Sequence, residues 1–228
     1  MPRETPHTGG GTEAQTRAGV RRLLVCAAAA VVALGAATAL DKWAFTYMLS
    51  RELIDNPFRD WYWLLRLAGY LPTWLVIGAA VCLADRSLRR GLFPVGAAAL
   101  AGLMAEGLKL LIRRGRPLDT DGAYHFVPFA EHTWESSFMG LPSSHVAVAF
   151  GGAFALTHLW PRAGWVMVPL AVGCALTRVL VGQHFLSDIA GGAIVGALAC
   201  AAIVRVHAML ASRGGGGTGT ALPRGGRA

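Results

Sequence analysis

Six apolar runs alternate with short polar or charged segments along the chain, at 23–40, 69–84, 91–108, 146–160, 164–177 and 185–204. A helix that crosses a bilayer needs ~20 apolar residues, with a range of ~17–25. The second, fourth and fifth runs are short. They must borrow flanking aromatics or lie in a thin, site-lined part of a bundle. Pro94 falls in the first turn of the third run, where it is tolerated, whereas Pro169 lies inside the fifth and is expected to bend it. The pattern predicts an all-α protein, an integral membrane six-helix bundle over 21–210. Flexible tails are expected at 1–20 and 211–228, where Gly214 to Gly217 and Gly225-Gly226 stand.

Composition sharpens this. Of the 228 residues, 54% are hydrophobic and 15% charged, against ~25% charged in soluble domains, which excludes an ordinary soluble enzyme. The net charge of +8 does not point to nucleic acid, because the basic residues flank apolar runs and form no long basic arm. Cys26, Cys82, Cys174 and Cys200 all fall in apolar runs without C-x-x-C spacing, as small hydrophobic fillers would.

Six spans with an internal N-terminus put Arg3, Arg17, Arg21, Arg22, Arg86, Arg89, Arg90, Arg162, Arg205, Arg213, Arg224 and Arg227 on one side, twelve of the 21 basic residues. By the positive-inside rule both termini then face the cytoplasm. Arg21-Arg22, the first run and Ala37-Thr38-Ala39 also resemble a cleavable signal peptide, but the run exceeds the usual ~7–15 residues, so a retained helix is expected. In the first outer loop, 41–69, Phe58, Trp61, Tyr62 and Leu65 recur at helical spacing, with Arg59 and Arg66 on another face. That predicts an interfacial helix anchored at headgroup level.

Charged residues at membrane depth are functional candidates. Lys109-x6-Arg116-Pro117 closes the third run, Pro142-Ser143-Ser144-His145 precedes the fourth, and Arg178-x5-His184-x3-Asp188 joins the fifth to the sixth. The hairpin of the fourth and fifth runs returns Arg178 and His184 to the face holding Ser143 and His145, and Lys109 and Arg116 reach that face from the third. Three motifs thus converge on one membrane face. Two arginines and a lysine suit a phosphoryl oxyanion. Ser143 adds a hydroxyl, and the backbone N–H near Ser144, at a helix N-terminus, adds an anion cradle. Asp188, one turn beyond His184, can hold its Nδ1 proton and leave Nε2 to attack phosphorus. His145 can protonate the leaving oxygen and then activate water. Nothing in this set demands a metal or other cofactor.

Two features stay open. Glu106 and Lys109 lie three apart and suit an ion pair, or a role for Glu106 in tuning the lysine. Arg113 and Arg114 serve either a second phosphate or the helix flank. In the 118–141 loop, His125, Glu131, His132, Trp134 and Glu135 show no diagnostic metal-ligand spacing, and the segment is expected to be a mobile cover that shapes lipid specificity.

These motifs resemble those of the type-2 phosphatidic acid phosphatase family, whose patterns are K-x6-R-P, P-S-G-H and S-R-x5-H-x3-D and whose site is shared with vanadium-dependent haloperoxidases. The resemblance spans about residues 100–200. It implies His184 as nucleophile, Asp188 as its orienting partner and His145 as general acid, with Lys109, Arg116, Ser143 and Arg178 on phosphate and no metal. It also implies a lipid phosphate substrate, in a bacterial plasma membrane with the site on the extracytoplasmic side. Polyprenyl diphosphate, phosphatidic acid and phosphatidylglycerophosphate are the candidate substrates. Ser144 stands where the family has glycine, keeping a phosphate-side N–H but straining any positive φ, and Thr177 replaces serine. The alternatives are a lipid-linked phosphotransferase with an alcohol acceptor and a non-catalytic phospholipid-binding membrane protein.

Overall fold

The computed structural model describes residues 10–50 and 60–214. Seven α-helices account for about three quarters of them: α1 (Gly10–Ser50), α2 (Asp60–Arg66), α3 (Leu71–Asp85), α4 (Leu88–Ile112), α5 (Ser144–Leu159), α6 (Gly164–Leu180) and α7 (Leu186–Gly214). Each apolar run lies in or overlaps a helix, and the extra one, α2, forms in the stretch where an interfacial helix is expected from the sequence. Its expected anchor Phe58 lies outside the described residues. Helix α1 already runs from Gly10, within the stretch expected as a tail, and α7 continues past residue 210.

Local chemistry sets the boundaries. The Ser87 hydroxyl accepts the Arg90 N–H and starts α4, as an N-cap does. Pro72 sits in the first turn of α3, where its missing N–H costs nothing. Both α3 and α4 end on an arginine in the left-handed region, Arg86 at φ 49° and Arg113 at φ 58°. Helix α6 continues through Pro169.

Among the described residues, α1, α4, α6 and α7 are long and apolar enough to cross a membrane. The bent pair formed by 60–69 and α3 makes a fifth candidate, with a 73° bend. The sixth apolar helix, α5, has 16 residues and is about 24 Å long, short of a ~30 Å hydrocarbon core. Its position explains that economy. It packs against α4, α6 and α7 through Ala147, Ala149, Gly151, Gly152, Ala153 and Ala155, which lie around the helix and are all buried. Small residues permit this close approach: a Cβ at Gly196 of α7 would lie 2.8 Å from the Gly151 nitrogen, and one at Gly151 2.8 Å from the Ala97 carbonyl oxygen. Trp74 of α3 covers Gly152 and donates its Nε1–H to the Ala68 carbonyl, 2.8 Å away. The outer faces remain apolar and open, with Val31, Val76, Leu103 and Leu111 each about 70% exposed. That is what a lipid solvent permits and water does not. This is an integral membrane protein.

Candidate active site

The C-terminal ends of α4 and α6 and the N-terminal ends of α5 and α7 meet at one end of the bundle. Lys109 Nζ donates to Ser144 Oγ at 2.9 Å, the Ser143 N–H to the Asp188 carbonyl at 3.0 Å, and Arg116 to the Gln183 side chain. Arg178, Arg66 and Lys109 lie close enough to His145 for their charges to act on it, and His184 is a neighbour of the same ring. The expected site residues Lys109, Arg116, Ser143, Ser144, His145, Arg178, His184 and Asp188 therefore come together.

Helix α7 explains how its catalytic candidates are held. Asp188 is its third residue and accepts the N–H of Phe185, just before the helix, on Oδ2 at 2.8 Å. This is the N3 half of a capping box. The same Oδ2 lies 3.4 Å from His184 Nδ1, and Oδ1 pairs with Arg114. Burial pushes the His184 imidazole below its ordinary 6.5, against the opposing pull of Asp188, so the ring is neutral at pH 7. With Nδ1–H directed at the carboxylate, Nε2 carries the free lone pair.

A carboxylate absent from the motifs completes this support. Asp41 of α1 is 1% exposed. It accepts the Ser187 N–H at 2.8 Å, the Ser187 hydroxyl and the Tyr124 hydroxyl at 2.8 Å, and lies 3.9 Å from Arg114 Nη1. Ser187 is the second residue of α7, so its N–H is among those the helix cannot satisfy itself; a carboxylate there also favours the helix dipole. Burial and then the Asp41 contact push the Tyr124 phenol up to about 12, which keeps it a donor. The sequence signal for Asp41 was an acidic residue one position after the first apolar run. Its partners lie 83 and 146 residues away, and no spacing rule reaches that far.

The two open features resolve. Lys109 Nζ pairs with Glu106 Oε1 at 2.9 Å, and Glu106 also accepts from Ser136. Neither Arg113 nor Arg114 is free for a second phosphate. Arg113 donates to the carbonyls of Val127, Pro128 and Glu131, pinning the outer loop, while Arg114 is held by Asp188 and by Ser187 Oγ at 2.7 Å. Ser144 lies in the first turn of α5 and outside the positive-φ residues, so the strain expected from replacing glycine is absent. Its hydroxyl instead occupies Lys109. Thr177 turns its hydroxyl to the Cys174 carbonyl of its own helix, 2.6 Å away.

The buried groups without a hydrogen-bond partner at this end of the bundle include Ser143 Oγ, His145 Nε2 and Arg178 Nε. Unpaired buried polar groups are costly, and their clustering here marks a place for an anion. Two cavities flank it. A polar one of about 550 Å³ is lined by Arg116, Asp119, His125, Glu131, His132 and Ser137. A mostly apolar one of about 310 Å³ reaches Ser144 and His145 from between Tyr70, Gly102 and Leu103. In the outer loop His132 pairs with Glu135 at 3.2 Å, and among the described residues no three His, Cys, Asp or Glu side chains group as metal ligands.

Comparison with known proteins agrees with the motifs. Residues 90–211 match the family model of the PAP2 superfamily; the chain belongs to that superfamily. It is 40% identical over 101 residues to a lipid A 1-phosphatase of Rhizobium johnstonii, covering 42% of this chain and 39% of that protein. It is 28% identical over 143 residues to the bacitracin transport permease protein BcrC of Bacillus licheniformis, covering 58% and 64%. The chain thus spans about two fifths of the lipid A 1-phosphatase. A solved PAP2-type phosphatidylglycerolphosphate phosphatase from Bacillus subtilis shares the fold, with a TM-score of 0.52 and 20% identity over 79% of this chain and 93% of that one.

Proposed function

We propose that the protein is a membrane lipid phosphatase that works through a phosphohistidine on His184. The observation that carries this reading is the juxtaposition of unpaired Ser143, His145 and Arg178 with the His184–Asp188 pair, between a polar and an apolar cavity. An amphiphile whose phosphate joins a polar headgroup to apolar chains fits that arrangement. Arg178, Arg116, Lys109, Ser143 and the N-terminus of α5 hold the phosphoryl oxygens.

His184 Nε2 attacks phosphorus, forming the N–P bond as the P–O bond to the lipid breaks, and His145, which takes up a proton from solvent once the bound oxyanion offsets the nearby arginine charges, gives that proton to the departing oxygen. The phosphorylated ring is cationic, and its Nδ1–H contact to Asp188, long at 3.4 Å, tightens as that charge develops. His145, now neutral, takes a proton from water, whose oxygen attacks phosphorus. The N–P electron pair then returns to Nε2 and inorganic phosphate leaves. In this reading all six apolar helices span the bilayer, both termini are cytoplasmic and the site opens on the extracytoplasmic side of a bacterial plasma membrane. The substrate is a polyprenyl diphosphate, phosphatidic acid, phosphatidylglycerophosphate or, by likeness to the Rhizobium relative, a lipid A 1-phosphate.

The test is phosphate release by detergent-purified protein, with chelator present, from each of these lipids. Release that disappears in His184→Ala, with labelled phosphate trapped on wild-type protein by rapid alkaline quench, is expected. Wild-type turnover by His184→Ala would overturn the mechanism. Transfer of the phosphoryl group to an added alcohol in preference to water would favour the phosphotransferase.

A further inference from the structure

With Arg113 and Arg114 committed to structure, the cations around the unpaired groups can be sorted by what they hold. Lys109 is paired with Glu106. Arg116 meets a neutral amide of Gln183, and the Arg178 guanidinium has no hydrogen bond or ion pair among the described residues. One more guanidinium belongs to this group: Arg66, the last residue of α2, which the sequence placed only on the non-aromatic face of that helix.

Arg66 is half-buried. Its guanidinium carbon lies 5.9, 5.2 and 5.4 Å from the ring centres of Tyr62, Trp63 and Tyr70. Its Nε is buried without a partner, and its side chain forms no ion pair among the described residues. Tyr70 meets the His145 ring edge-on at 5.0 Å. The Arg66 carbonyl is 3.9 Å from Cys174 Sγ, one helical turn before Arg178. Arg66 and Arg178 therefore flank His145 with like charge and no intervening carboxylate. An aromatic collar stabilises such a cation without neutralising it, and the repulsion that remains is relieved only by an anion.

A phosphomonoester carries about −1.5 to −2 charges at pH 7. Three guanidiniums without carboxylate pairs, Arg66, Arg116 and Arg178, exceed it; a second phosphoryl group makes up the difference. We propose that Arg66 binds the second phosphate of a lipid diphosphate, making this cleft selective for diphosphates over monoesters. The inference rests on the phosphatase reading above and adds the substrate class and a residue that selects it.

The test compares phosphate release from a polyprenyl diphosphate and the matching polyprenyl monophosphate by wild type, Arg66→Gln and Arg66→Lys. It also compares inorganic pyrophosphate with orthophosphate as competitive inhibitors. Arg66→Gln should lower kcat/KM for the diphosphate by about 10- to 100-fold, the span of one charge-assisted hydrogen bond. This loss should be at least about tenfold greater than for the monophosphate. Pyrophosphate should lose its advantage over orthophosphate in parallel, and Arg66→Lys should restore part of both. Equal losses on the two lipids, or no loss on either, would overturn the proposal while leaving the phosphatase reading intact. If Arg66→Gln does not fold, an Arg66→Lys protein with an unchanged preference for pyrophosphate overturns it equally. Absence of wild-type release from both polyprenyl lipids would overturn this proposal, and the phosphatase reading falls with it only if phosphatidic acid, phosphatidylglycerophosphate and lipid A 1-phosphate release no phosphate either.

Discussion

Removing the Asp41 carboxylate should both destabilise the bundle and slow its chemistry. Asp41→Ala takes away the acceptor of the Ser187 N–H, the Ser187 hydroxyl and the Tyr124 hydroxyl, and one of the two carboxylates near Arg114. Tyr124 is 39% exposed and can turn to water. The Ser187 N–H, on a residue 1% exposed, cannot. Arg114, 4% exposed, is left with Asp188 alone. Breaking a buried ion pair of this kind costs about 3–5 kcal/mol. For a domain of this size each kcal/mol moves Tm by about 2–4 °C, so a fall of roughly 6–20 °C is expected in detergent. Because Asp188 then faces the whole Arg114 charge and α7 loses its external cap, the His184–Asp188 pair should misorient. We expect kcat to fall about tenfold, worth ~1.4 kcal/mol, with KM within about twofold. Asp41→Asn keeps an acceptor for the Ser187 N–H and should lose about half the stability. Thermal unfolding followed by fluorescence, with steady-state phosphate release on the same samples, reads both effects. An Asp41→Ala protein within 2 °C of the wild-type Tm and with unaltered kcat would refute the reasoning.

Other consequences can be measured with the same assays. Ser144→Gly frees Lys109 from a neutral hydrogen bond worth about 0.5–1.5 kcal/mol, so KM for a lipid phosphate should fall about two- to tenfold; an unchanged or higher KM would count against a phosphate role for Lys109. Gly196→Val drives a side chain into the backbone of α5 at Gly151 and Ala147, and overpacking should cost about 1–3 kcal/mol, visible as a lower Tm. Because burial holds the His184 pKa below 6.5, and only the neutral ring attacks, the acid limb of kcat/KM should lie below pH 6.5; a limb above it would contradict a neutral His184 in the resting site.

Several features were legible along the chain because they depend on near neighbours. Apolar runs of helical length need no long-range information to declare a bilayer as their solvent, and each lies in or overlaps a helix. His184 and Asp188, four apart at the start of α7, share a face in any helix that begins there. Lys109 and Glu106, three apart, pair for the same reason.

What tertiary structure decided concerns charges whose partners are distant in sequence. Arg113 and Arg114 are adjacent and look alike. Yet the left-handed turn at Arg113 sends one guanidinium under the outer loop, and its neighbour goes to α7. Arg66 was legible only as a residue on the non-aromatic face of a short helix; the 73° bend between that segment and α3 and the packing of α2 against α6 put it beside His145. Asp41 was only the first residue of the expected outer loop until α1 met α7. The cause is common to all four. In a low-dielectric interior a charge takes the partner that the helix packing brings within reach, and that packing is set by small residues such as Gly151, Gly152 and Gly196, whose meaning appears only when two helices touch.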